Sequence, residues 1–203
     1  MGSSAVQGPN KIKSVCVFCG SGSGSDSIYE QEAKEIGKLL AENGIRLVYG
    51  IMGAVAKATL DHGGKTIGIV PEPLFKHGSK QLSETIIVPD MHTRKKRMAE
   101  ESDAFVVLPG GFGTMEEMLE MITWSQLNIH SKPIILLNTK SYFKLFVDWV
   151  NMCVIENFIQ PKNANIFVVC DTTKEFIHAL QTYEAPKSRY EFDWTNKERD
   201  SLV

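Results

Sequence analysis

Short runs rich in β-branched residues recur along this chain, each followed by a longer segment whose apolar residues fall at helical spacing. The runs are Ser14 to Cys19, Arg46 to Tyr49, Thr66 to Val70, Thr85 to Val88, Ala104 to Leu108, Pro133 to Leu137 and Asn165 to Val169. Strand followed by helix, repeated in this way, implies a parallel sheet with helices packed on both faces. Phe105-Val-Val-Leu108 and Ile134-Ile-Leu-Leu137 are apolar at every position rather than at alternate ones, as strands covered on both sides should be. These are the expected central strands of an α/β fold with a parallel sheet of about seven strands.

The helical segments have readable faces. Between Ser27 and Asn43 the residues Ile28, Ala33, Ile36, Leu39 and Leu40 fall near one stripe, and Asn43-Gly44 supplies a stop. Met115 to Leu127 is apolar around much of its girth, so it needs cover on several sides, from its own domain or from a second copy of the chain. A homodimer is expected on that ground. No internal repeat, Pro-rich linker or shift of composition divides the chain. The expected organisation is a disordered or tag-like segment over residues 1–12, one domain over 13–184, and a polar tail over 185–203 with Phe192 and Trp194 as its anchors.

Composition narrows the partners. With 22 Lys and Arg against 24 Asp and Glu, and 43% hydrophobic residues, the 203 residues fall in the ordinary globular range and lack the basic excess of a general nucleic-acid binder. No apolar run approaches the roughly 18 to 20 residues that cross a bilayer, and the Gly/Ser-rich start lacks the apolar centre of a signal peptide. The expected setting is cytoplasmic, with neither membrane nor nucleic acid as partner. Cys16 and Cys19 resemble a CxxC pair, but on a strand an odd spacing puts them on opposite faces, where they cannot share a metal. Cys153 and Cys170 lie in apolar surroundings and read as small buried hydrophobes.

The strongest local signal is Leu108-Pro-Gly-Gly-Phe-Gly-Thr-Met-Glu-Glu-Met118, which follows an apolar strand and opens a helix. Gly110, Gly111 and Gly113 let the backbone turn sharply and approach a ligand, while the first helical N–H groups favour an anion. The spacing fits neither the P-loop nor the dinucleotide fingerprint, so a phosphate site and a plain tight turn both remain open. Glu117 lies three residues after Thr114. It is either half of a capping box or a carboxylate one helical turn from a bound phosphate, near the sugar that the phosphate would carry. In Met91-His-Thr-Arg-Lys-Lys-Arg-Met98, four consecutive cations suggest a solvated helix face. The segment nevertheless follows a strand at the sheet edge where ligands bind, and Arg94 is the natural bidentate partner for a phosphate.

These residues carry a resemblance. Cys19-Gly-Ser21, Leu47-Val-Tyr-Gly50, Met91-His-Thr-Arg-Lys95, Ser102-Asp-Ala104, Pro109-Gly-Gly-Phe-Gly-Thr-Met-Glu-Glu117 and Thr123-Trp-Ser-Gln-Leu127 occur in the order found in the LOG family. These are the cytokinin riboside 5'-monophosphate phosphoribohydrolases, long labelled lysine decarboxylase-like. The resemblance runs from about Val15 to about Tyr183, and its signature is PGGxGTxxE with an upstream RK pair. It implies a Rossmann-like homodimer that hydrolyses the N-glycosidic bond of a purine nucleoside 5'-monophosphate, releasing base and ribose 5-phosphate without metal or cofactor. It places the phosphate loop on Gly110, Gly111, Gly113 and Thr114, the catalytic pair on Glu117 and Arg94, and the second basic residue on Lys95. Ser21, Glu84 and Met91 are expected around the nucleotide.

One departure stands out. The family reads VYGGGxxGxMG after its second strand, whereas Tyr49-Gly50 runs directly into Ile51-Met52-Gly53, shorter by about five residues. The intact flanks favour residues left out of the written chain over a true deletion. A true deletion favours a second function, a non-catalytic nucleotide-binding or sensing module built on the same phosphate loop. A pyridoxal decarboxylase fares worst, since no lysine sits in the context that a Schiff base and its pyridine partner require.

Overall fold

The computed structural model describes residues 11–50, 53–76 and 82–194. Its strands are β1 (Ser14–Phe18), β2 (Arg46–Tyr49), β3 (Thr66–Pro71), β4 (Thr85–Val88), β5 (Ala104–Val107), β6 (Ile134–Leu137) and β7 (Val168–Cys170). Between and after them lie α1 (Ser27–Glu42), α2 (Gly53–Asp61), α3 (Glu72–Lys76), α4 (Met91–Glu100), α5 (Phe112–Gln126), α6 (Lys144–Ile155) and α7 (Thr173–Thr182). All seven strands pair in parallel, in the order β4-β3-β2-β1-β5-β6-β7. The chain runs outward from β1 to one edge, then returns past it to β5. The loops after β1 and β5 therefore diverge at the carboxyl ends of adjacent strands, the place where open α/β sheets hold ligands.

The period of two along each strand sorts its residues between two cores. Val15 and Val17 of β1 face the layer of α1, α2 and α7, against Ile36, Leu40, Val55 and Phe176. Cys16 and Phe18 face the layer of α4, α5 and α6, against Met98, Met118, Met121 and Phe146. Cys19 packs toward the first core and Cys16 lies in the second, so the two thiols are on opposite sides as their spacing requires. No disulfide joins the four cysteines.

Caps define the helices that frame the site. The Asp26 carboxylate accepts from the Ile28 N–H at 3.0 Å to start α1, and Gly44 at φ +65° follows its end. Asp90 caps α4 in the same way, accepting from the Thr93 N–H at 2.8 Å. Two boundaries differ from the sequence expectation by three residues, and the other strand boundaries agree to within one. The last strand begins at Val168 rather than Asn165, because Pro161 opens a 3-10 turn through Ile166 that buries Asn163 and Ile166 before the chain extends. The helix expected from Met115 starts at Phe112, on the glycine turn itself.

Past α7, residues 185–194 run along the C-terminal end of α5. The Tyr190 N–H donates to Gln126 O at 3.0 Å, and the Trp194 indole N–H to Leu127 O at 2.8 Å. Phe192 packs between Tyr190 and Trp194.

Candidate active site

The turn between β5 and α5 is closed by contacts that only glycine permits. A Cβ on Gly110 would lie 2.2 Å from the Thr114 hydroxyl and 2.5 Å from the Gly20 nitrogen. The Gly20 N–H donates to Pro109 O at 3.0 Å, which ties the loop after β1 to the turn after β5. Gly111 is the N-cap of α5 and offers no side chain to the first helical N–H groups. Those groups and the helix dipole make the turn a place for an anion.

This start of α5 removes one of the two roles that spacing leaves open for Glu117, the capping box. Thr114 is inside the helix and buried rather than at the cap, so no capping box forms. Glu117 points instead to α4, where its Oε1 accepts from Nη1 of Arg94. Both side chains are buried, at 7% exposure for Arg94 and 9% for Glu117. Arg94 also donates from Nε to Ile69 O at 3.3 Å, and its Nη2 lies where a Cβ on Gly50 would be, 2.0 Å from that position. Gly50 therefore makes the space in which the pair meets. It is a requirement that the Tyr-Gly motif after β2 carries without announcing it.

In the structure Arg94 reaches Glu117. Its guanidinium is engaged by Glu117 and a strand carbonyl, which makes it the partner that holds the carboxylate in place. Burial pushes the Glu117 carboxyl above its ordinary range, and the Arg94 guanidinium draws it only part of the way back. Burial, with the Glu117 charge adding to it, pushes the Cys19 thiol up to about 12. Cys19 is thus protonated at neutral pH and unsuited to nucleophilic work.

The cationic run divides. Arg94 and Lys95 point inward while Lys96 and Arg97 are exposed. Lys95 does not reach the glycine turn; its ammonium bridges Glu116 and Glu120 of α5, the latter at 3.1 Å. Burial alone would push that ammonium down, but the two carboxylates outweigh it and hold it above its usual value. Lys95 is a bridge between α4 and α5, and the spacing of Glu116 and Glu120 on one helix face was the signal for it. Ser21 lies in the exposed loop after β1, next to the turn, and Met91 is the exposed first residue of α4. Glu84 precedes β4, three strands from β1, roughly 14 Å across the sheet at about 4.8 Å per strand. It is not brought to the turn.

A cavity of about 800 Å³ opens beside the turn, walled by Cys19, Ser21, Tyr29, Ala54, His62 and Pro109 among others. It lies on the α1 and α2 side, whereas the Arg94–Glu117 pair is on the α4 and α5 side and does not line it. The shortened join falls on residues 51–52, which lie outside the described residues; α2 opens at Gly53 directly after them. Among the described residues no helix is long and apolar enough to cross a membrane, and no cluster of three or more His, Cys, Asp or Glu could hold a metal.

The model of a family described as possible lysine decarboxylase matches residues 52–180. The cytokinin riboside 5'-monophosphate phosphoribohydrolase LOG3 of Arabidopsis thaliana is 42% identical over 181 residues, covering 86% of this chain and 84% of its own. The chain belongs to the LOG family. LOG7 of the same plant is 40% identical, over 96% of this chain and 94% of its own. In the match to LOG3, 86% of 203 residues is about 175 against 181 aligned positions, so the chain is about six positions short within it. The molybdenum cofactor carrier protein of Chlamydomonas reinhardtii superposes with a TM-score of 0.60 over 82% of this chain and 94% of its own, at 22% identity. The molybdenum cofactor binding protein of Rippkaea orientalis gives 0.60 over 86% and 96%, at 20% identity. These two show the fold, a Rossmann-type α/β sheet.

The balance of burial and charge at Glu117 can be read directly. In carbon-13 NMR of carboxyl-labelled protein, Glu117 should titrate above the ordinary value of about 4.3, and Arg94→Ala should move it higher still. A Glu117 that titrates in the ordinary range, or falls on loss of Arg94, contradicts the assignment.

Proposed function

We propose that this LOG-family chain is a cytoplasmic hydrolase of the N-glycosidic bond in purine nucleoside 5'-monophosphates, N6-modified ones included, and that it releases the free base and ribose 5-phosphate. The observation that carries this reading is Glu117: a buried carboxylate held by Arg94 in the first half of a helix whose glycine-capped start is suited to a phosphate.

The 5'-phosphate rests on the turn of Gly110, Gly111, Gly113 and Thr114, with Ser21 at its edge. That anchors the ribose and presents C1' to Glu117. As the bond between C1' and the base nitrogen breaks, its electron pair leaves with the base and the ribose ring gains oxocarbenium character. The carboxylate stabilises that charge and takes a proton from the water whose oxygen bonds to C1', while the departing base takes a proton from solvent, to which the carboxyl group then releases its own. Arg94 keeps the carboxylate aimed, and Lys95 holds α4 against α5 through Glu116 and Glu120.

Incubation with AMP and with N6-prenylated AMP, followed by chromatography, should yield free base. Glu117→Gln leaves Arg94 an acceptor and should keep the fold while lowering turnover by about a thousandfold, within the range general acid–base and charge stabilisation contribute together. Because the ionised carboxylate is the working form and its value is raised, activity should fall with acid at a higher pH than an ordinary glutamate would give. If no nucleoside monophosphate yields base although one binds saturably, the nucleotide-binding module takes the place of the hydrolase.

The same reading includes a homodimer. Its support lies less in α5, whose Met118 and Met121 are buried within the chain, than in α6, which exposes Leu145, Trp149, Met152 and Ile155 with Phe158 just beyond. An apolar face of that extent is suited to a second copy. Light scattering at micromolar concentration should give twice the 22.6 kDa chain mass, and a monomeric mass rules the dimer out.

A further inference from the structure

Two successive carbonyls of the glycine turn are held from opposite elements. Pro109 O accepts from the Gly20 N–H at 3.0 Å, and Gly110 O accepts from the Tyr142 hydroxyl at 2.6 Å. A trans peptide is planar and sends its N–H opposite to its carbonyl, so whatever fixes the Gly110 carbonyl also fixes the direction of the Gly111 N–H. Gly111 is the N-cap of α5, at the centre of the anion turn.

The segment that delivers Tyr142 is built under strain. Lys140 and Ser141 have φ of +53° and +59°, two neighbouring residues with side chains in the left-handed region. Such conformations persist only where the surroundings impose them, and they gather where geometry serves a purpose. Here the surroundings do impose it. The Thr139 hydroxyl donates to the Glu32 carboxylate, and the Lys140 ammonium pairs with Asp26, the cap of α1, at 2.7 Å. The Asn138 side chain accepts from the Phe143 N–H at 2.8 Å. The Tyr142 ring meets Tyr29 edge-on, with centroids 6.1 Å apart, and Tyr29 in turn lies against Gly24 of the loop after β1.

We propose that Tyr142 is a positioning residue for phosphate recognition, its hydroxyl orienting the Gly110–Gly111 peptide so that the Gly111 N–H meets the phosphate monoester of the substrate. This rests on the proposed function for the ligand's identity, and its test is separable from turnover. Tyr142→Phe removes the hydroxyl and keeps the ring contacts with Tyr29 and Phe143. Ribose 5-phosphate binding by calorimetry should weaken about tenfold, a loss typical of one hydrogen bond to a charged site. KM for AMP should rise by a similar factor with kcat within twofold, and the thermal midpoint should stay within a few degrees. Ser141→Gly, which relieves strain and spares the hydroxyl, should retain ribose 5-phosphate affinity within twofold. In the wild-type protein, ribose 5-phosphate should shift the Gly111 amide in nitrogen-15 spectra. Unchanged affinity in Tyr142→Phe, or an unmoved Gly111 amide on saturation, overturns the proposal. Wild-type protein that binds ribose 5-phosphate in this way but hydrolyses no nucleotide refutes the hydrolase and leaves the role of Tyr142 standing.

Discussion

A carboxylate and a guanidinium meet in the interior of this protein, and most of what is specific about the site follows from their contact. Taking two charges out of water costs several kcal/mol for each ion, which the attraction between them repays only with good geometry and further hydrogen bonds. Replacing a buried pair with apolar groups is often neutral or stabilising, whereas removing one partner costs about 3–5 kcal/mol. Stability alone is therefore a poor reason to bury Arg94 and Glu117. Their cost is understandable if the carboxylate has to be dry, oriented and harder to ionise than in solution. The surrounding residues are consistent with that demand: Ile69 offers a carbonyl to Arg94, and Gly50 gives up a side chain so that the guanidinium can fit.

The sheet topology makes this contact possible. Glu117 belongs to α5, which starts at the carboxyl end of β5, and Arg94 belongs to α4, which packs on β3. The return of the chain from β4 across the sheet to β5 places the start of α4 and the start of α5 over the same face. Lys95 then bridges the two helices along their length. From the two strands that flank β5, the loop after β1 reaches the glycine turn through Gly20, and the connection after β6 reaches it through Tyr142. The glycine turn is thus held by two other strand-to-helix connections.

The strands were legible because each is nearly continuous in apolar, β-branched residues, and covered strands leave no alternative pattern. β7 was misplaced by three residues because Asn165 and Ile166 have the composition of a strand and the geometry of a proline-started turn. The glycine turn was visible as a motif, but the role of Glu117 was not: Thr114 and Glu117 satisfy the spacing of a capping box, and only the start of α5 at Phe112 excludes it. Four adjacent cations look equivalent in sequence. On a helix they point in different directions, which buries Arg94 and Lys95 and exposes Lys96 and Arg97. Contacts across the fold, such as Gly50 beneath Arg94 and Tyr142 on Gly110, leave no local pattern at all.

The proposed function requires that the glycine turn hold the phosphate while Glu117 faces the bond to be broken. It is tested most directly by a crystal structure of Glu117→Gln with intact AMP. The phosphate should lie on the N–H groups at the start of α5, with C1' of the ribose turned toward residue 117. AMP bound with its phosphate elsewhere, or lodged in the cavity between α1 and α2 with C1' away from residue 117, would contradict it.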